Sequence, residues 1–110
     1  MDGKTYRAEV LRTYAGLDDS EEKLTLAALG LTGESGEVAD HMKKYLFQDH
    51  AIDAAHIAKE LGDILWYLVL ACDAIDSSLE DVMLMNVEKL RKRYPNGFDA
   101  ERSIHRTLYE

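Results

Sequence analysis

One cysteine, one proline and one tryptophan stand among the 110 residues, and basic charge is in deficit. The lone cysteine, Cys72, closes no intramolecular disulfide, and its apolar neighbours make it a small buried hydrophobe. With one proline and seven glycines, little interrupts helical periodicity. Lys and Arg number 13 against 21 Asp and Glu, for a net charge of −8. No basic patch is present to grip a phosphate backbone, which argues against a nucleic-acid polymer as partner. No apolar run approaches the roughly 18 residues of a membrane helix, and no signal-peptide pattern is visible. The expectation is a cytoplasmic protein with no membrane partner. A Walker-type phosphate loop and Cys/His zinc spacing are also missing.

What is present suits one compact domain over residues 1–110, with 46% hydrophobic and 31% charged residues. The pattern is all-α, with four main helices. A first helix is expected from about Lys4 to Gly16, with Tyr6, Val10 and Tyr14 on one face and Leu11 beside them. Asp19 or Ser20 caps a second, from Glu21 to about Leu46, with Leu24, Ala27, Ala28 and Leu31 on one side. Phe47–Asp53 reads as a loop, and Asp53 caps a third helix from Ala54 to about Ile75. From Ile64 to Cys72 that helix is apolar all round, which predicts burial on every face or association with a second subunit. Ser78 with Asp81 opens a fourth helix to about Arg93, offering Val82, Met85 (or Met83), Val87 and Leu90 for packing. The remainder, from Phe98, supports at most a short helix.

Gly30, Gly33 and Gly36 recur at a spacing of three inside the second helix. Each costs about 1 kcal/mol relative to alanine, so the row needs a reason. A row without side chains lets another backbone or a ligand come close; a break at Gly33 is the alternative.

Carboxylates punctuate the same region. Glu34 and Glu37 lie three residues apart, as do Glu60 and Asp63, and residues at that spacing neighbour each other on a helix surface. Two helices crossing at these pairs would gather four negative charges, which a hard divalent cation resolves. With so many acids such pairs also arise by chance on solvated faces, as Asp73 with Asp76 illustrates. Glu60 and Asp63, however, open the most apolar helix, where ionised groups need a partner.

The blocks Leu31-Thr32-Gly33-Glu34-Ser35-Gly36-Glu37-Val38 and Lys59-Glu60-Leu61-Gly62-Asp63-Ile64-Leu65-Trp66-Tyr67 resemble the MazG-like all-α nucleoside triphosphate pyrophosphohydrolases. That family carries Glu-Glu-x-x-Glu and, further along, Glu-x-x-Asp. Asn86-Val87-Glu88-Lys89-Leu90-Arg91-Lys92-Arg93-Tyr94-Pro95 resembles a later family segment. One departure is plain: the first acid of the motif falls on Gly33.

The resemblance implies a homodimer or homotetramer that hydrolyses nucleoside triphosphates to monophosphate and pyrophosphate. It implies Mg²⁺ (or Mn²⁺), more than one ion per site, held by Glu34, Glu37, Glu60 and Asp63. Glu37 or Glu34 would accept the proton of the attacking water. Lys89 and Arg93 would meet the pyrophosphate, and Asn86 a phosphate, the sugar or a water; plain helix-end charge is the alternative for the two cations. Trp66, Tyr67 and Tyr94 are candidates to stack on a base, or else core. His41, one turn after Glu37, supports the site or faces solvent. Two rival functions stand: a catalytically silent helical interaction module, and a phosphoribosyl-ATP pyrophosphatase-like enzyme.

Overall fold

Asp2, Asp19, Asp53, Ser78 and Asp99 each accept a hydrogen bond from a backbone N–H two or three residues on, and each opens a helix. The structure is a computed structural model and describes residues 1–109. A cap of this kind contributes about 1 kcal/mol, because it satisfies an amide that has no partner within the helix. The helices are α1 (Gly3–Thr13), α2 (Ser20–Phe47), α3 (Ala54–Ala74), α4 (Leu79–Arg93) and α5 (Ala100–Ile104), followed by a 3₁₀ turn, Arg106–Tyr109. The protein is all-α, with four main helices and no strand among the described residues. No described helix is long and apolar enough to cross a membrane.

The chain divides into two compact units, Met1–Ser77 and the residues from Ser78 on. In the first, α2 and α3 form the main packing pair and α1 lies on α3. Val10, Ala27, Val69, Leu70, Cys72 and Ala74 are its buried apolar side chains. Val10, on the expected face of α1, is fully buried, and Tyr6, Leu11 and Tyr14 are half-buried beside it. Asp73 is held between Lys23 (2.9 Å) and Arg7, which ties α3 to both other helices. Burial opposes its ionisation, but the hydrogen bonds from Lys23 and Arg7 outweigh that and hold its carboxyl below the usual range.

Several boundaries differ from expectation. α1 stops at Thr13, where Tyr14 turns extended, and does not run to Gly16. α2 continues unbroken through Gly30, Gly33 and Gly36 to Phe47, so no helix ends at Gly33. A β-carbon at Gly30 would overlap the Tyr67 ring, whereas nothing lies within 4 Å of one at Gly33 or Gly36. Close packing therefore explains Gly30 alone. α3 ends in a Schellman motif: Ser77 N–H reaches the Cys72 carbonyl (2.9 Å), Asp76 N–H reaches that of Asp73 (3.1 Å), and Asp76 takes a φ of 55°. Burial on every face of α3 is met at Val69, Leu70 and Cys72 only, while Ile64–Leu68 are half-buried. At 11 residues, α1 is too short to cover the outer side of a 21-residue helix.

In the second unit the Arg102 side chain hydrogen-bonds the Arg93 and Lys92 carbonyls at the end of α4. Its guanidinium stacks 3.6 Å over the Tyr109 ring. The expected packing face of α4 is largely open: Val82 is half-buried, but Met83, Met85, Val87 and Leu90 are exposed.

Candidate functional site

Residues one turn apart on α2 and α3 decide what the site contains. Glu34 lies one turn beyond Gly30 on α2. Glu60 and Asp63 share a face of α3, and Trp66 and Tyr67 follow them one turn later. Because Gly30 has no side chain, the Tyr67 ring lies directly on α2. Glu34, Glu60 and Asp63 each bring a carboxylate oxygen within 4.8 Å of the others. Beside them Glu34, Asp63, Trp66 and Tyr67 line an open cleft of about 290 Å³.

Such crowding has an electrostatic consequence. A hydrogen bond that the protonated Glu34 donates to Glu60, partial burial and the charges of Glu60, Asp63 and Glu37 push the Glu34 carboxyl up from 4.5 to about 7. Two ionised carboxylates have no proton to share, so the Glu34–Glu60 hydrogen bond exists only while one of them stays protonated. A divalent cation removes that demand. The donor set, three carboxylates with no nitrogen or sulfur, is of the hard kind that Mg²⁺ or Mn²⁺ takes. These residues fit such an ion. Glu37 is exposed and outside the tight trio, close enough for its charge to act on Glu34.

A family model described as the MazG nucleotide pyrophosphohydrolase domain matches residues 22–98. The chain belongs to this MazG family. "Gene 37 protein" of Mycobacterium phage L5 is 34% identical over 87 residues, 76% of this chain and 76% of that protein. No solved structure matches. The MazG match covers both acidic pairs and α4, while α1 precedes it.

Trp66 is neither plain core nor free: it is half-buried, donates its indole N–H to Thr13 Oγ1 at 2.8 Å, and meets Tyr67 edge-on with centroids 5.0 Å apart. His41 accepts a hydrogen bond from the Asp53 backbone N–H through Nε2 (3.1 Å), so it pins the start of α3 and does not face solvent alone. Its ring lies 5.5 Å from that of His56, whose Nε2 is 3.5 Å from Glu60 Oε1. His56 precedes Glu60 by four residues, so the sequence held a signal for this contact that our reading missed. Tyr6 on α1, also missed, donates its O–H to the Gly62 carbonyl (3.4 Å). Burial and the nearby Asp63 charge push that phenol up.

Asn86, Lys89, Arg93 and Tyr94 belong to the second unit. Asn86 and Lys89 are exposed on α4. Arg93 is buried, at 8% exposure, with its guanidinium 5.9 Å from the centre of the half-buried Tyr94 ring. Lys89 is thus a solvated charge placed before the last turn of α4, while Arg93, within that turn, is withdrawn from solvent. Tyr94 also packs on Phe98, with ring centroids 5.5 Å apart.

Proposed function

We propose that this chain hydrolyses ribo- or deoxyribonucleoside triphosphates to the monophosphate and pyrophosphate with Mg²⁺, in the control or clean-up of nucleotide pools. The observation that carries this reading is the convergence of Glu34, Glu60 and Asp63 beside an aromatic-walled cleft in a MazG-family chain. Glu34, Glu60 and Asp63 would hold the ion, with Glu37 at the margin for a second. When bound, the cation supplies neutralisation of phosphate charge and a more acidic water.

The protein's own groups do the rest. Phosphoryl-type displacement needs positioning and charge compensation more than a protein nucleophile. Glu37, exposed beside the trio, or Glu34 accepts the proton of the attacking water. Trp66 and Tyr67 offer apolar ring surface to a base. Asn86, Lys89, Arg93 and Tyr94 are assigned to the phosphates and sugar on the resemblance of their segment to the family's. The match spans both units, which supports reading the chain as a single domain. The exposed apolar side chains Leu26 and Leu29 on α2 and Met83, Leu84 and Met85 on α4 favour a homodimer or homotetramer.

The test is pyrophosphate release from all ribo- and deoxyribonucleoside triphosphates, with Mg²⁺ and with chelator, for wild type and Glu60→Ala. Release that requires both metal and Glu60 is expected, and its ranking names the substrate. A folded, metal-loaded protein releasing nothing from any triphosphate would refute the reading in favour of a silent interaction module.

A further inference from the structure

Thr13 is the last residue of α1, an element outside the family match, yet it touches the wall of the cleft. Its hydroxyl donates to the Glu9 carbonyl at 2.8 Å, with the Val10 carbonyl at 3.1 Å. A hydroxyl has one proton, so this back-bond leaves only lone pairs facing outward. One of them receives the Trp66 indole N–H at 2.8 Å. The other side of the indole is fixed too, because Trp66 meets Tyr67 at 81° and Tyr67 is seated on Gly30.

A chain of contacts thus runs from α1 through Thr13, Trp66 and Tyr67 to α2, and the two rings in its middle line the cleft that contains Glu34 and Asp63. An indole left to rotate would have to be ordered each time a flat ligand stacks on it, which weakens binding. One held beforehand does not carry that cost.

We propose that Thr13 is a positioning residue for nucleotide recognition: it sets the indole plane of Trp66 as the surface on which the base of the substrate stacks. This rests on the nucleotide reading above. Tyr6, which donates to the Gly62 carbonyl beside Asp63, makes α1 the brace of this edge of the site as a whole. The hydroxyl acts through the indole and touches no substrate. Its contribution therefore falls on KM, where ground-state stacking is felt, rather than on kcat.

Trp66 is the only tryptophan, so its emission reports this contact directly. The experiment titrates the ribo- and deoxyribonucleoside monophosphates, which carry the base without the scissile bond, into the Mg²⁺-loaded protein and follows tryptophan emission. Wild type, Thr13→Val, Thr13→Ser and Trp66→Phe are then compared for pyrophosphate release, with thermal unfolding of each variant as the check on folding.

At least one nucleotide is expected to quench wild-type emission saturably. Thr13→Val should weaken that titration and raise KM about three- to tenfold, the range a lost neutral hydrogen bond produces. Thr13→Ser, which keeps the acceptor, should return to within about twofold of wild type. In the Trp66→Phe background, which has no N–H, Thr13→Val should add nothing. An unchanged KM in folded Thr13→Val, a Thr13→Ser variant as impaired as Thr13→Val, or an additive double variant overturns the assignment. Pyrophosphate release without any emission change overturns it while leaving the hydrolase standing; absence of both defeats the two together.

Discussion

The three glycines of α2 offer a test in which two known effects of opposite sign compete. Replacing a helical glycine by alanine stabilises by about 1 kcal/mol, because the unfolded chain loses freedom and the helix gains a better former. At Gly33 and Gly36 nothing opposes this, since no atom lies within 4 Å of the added β-carbon. At Gly30 the new carbon would overlap the Tyr67 ring, which is itself braced by Trp66. Overpacking of this kind costs about 1–3 kcal/mol. The sum for Gly30→Ala is therefore a net loss of about 1 kcal/mol, and for Gly33→Ala or Gly36→Ala a gain of similar size. In a domain this small, each kcal/mol moves Tm by about 4–8 °C. Thermal unfolding followed by circular dichroism, in chelator, should thus show Gly30→Ala below wild type and the other two above it. Adding Tyr67→Ala should abolish the penalty at Gly30. A Gly30→Ala protein that melts higher than wild type would refute the claim that Tyr67 requires that glycine. The same variants bear on function: if ligand uses the open space at Gly33 or Gly36, pyrophosphate release falls in a protein that has become more stable.

Other expectations follow from the charges. A carboxyl whose folded pKa is raised contributes stability below its unfolded value and loses it as pH rises through the folded one. Glu34 should accordingly make the metal-free protein less stable as pH climbs from 4.5 past about 7, and Mg²⁺ should cancel the loss. Glu34→Gln should flatten that dependence in thermal scans, and an unaltered profile would contradict the shared-proton account. Asp73 has the opposite sign. Its stabilisation is present above 3.8 and disappears as pH falls through its depressed value. Asp73→Asn should cost about 2 kcal/mol at neutral pH in denaturant titrations, by leaving Lys23 and Arg7 without their shared carboxylate; a loss below about 0.5 kcal/mol would dismiss the pairing as ornamental. Asp76, at a φ of 55°, should gain about 0.5–1 kcal/mol on replacement by glycine, and a measured loss would mean its side chain has a role in the turn.

Helix starts were the most legible feature of this chain, because a cap and the amide it satisfies are two or three residues apart. Asp53 and Ser78 could be read directly, and Asp19 as one of two candidates beside Ser20. Boundaries at the other ends were blurred: α1 stops short of Gly16 and α2 overruns Leu46, since an amphipathic period says little about where a helix frays. Both acidic pairs were visible as pairs. Asp73 and Asp76 looked like a third, yet the structure turns one to Lys23 and Arg7 and uses the other in a Schellman turn.

What the sequence by itself determined is local: the all-α class, the caps, and which carboxylates share a turn. Which of them meet across helices belongs to the tertiary structure. Only the packing of α2 on α3 selects Glu34 over Glu37 as the partner of Glu60 and Asp63, and only Gly30, of three equivalent-looking glycines, receives a ring. The bond from Trp66 to Thr13 likewise links residues far apart in the chain. Helical periodicity records which residues share a face. The angle and register at which two faces meet depend on every side chain between them, and no short stretch of sequence contains that information.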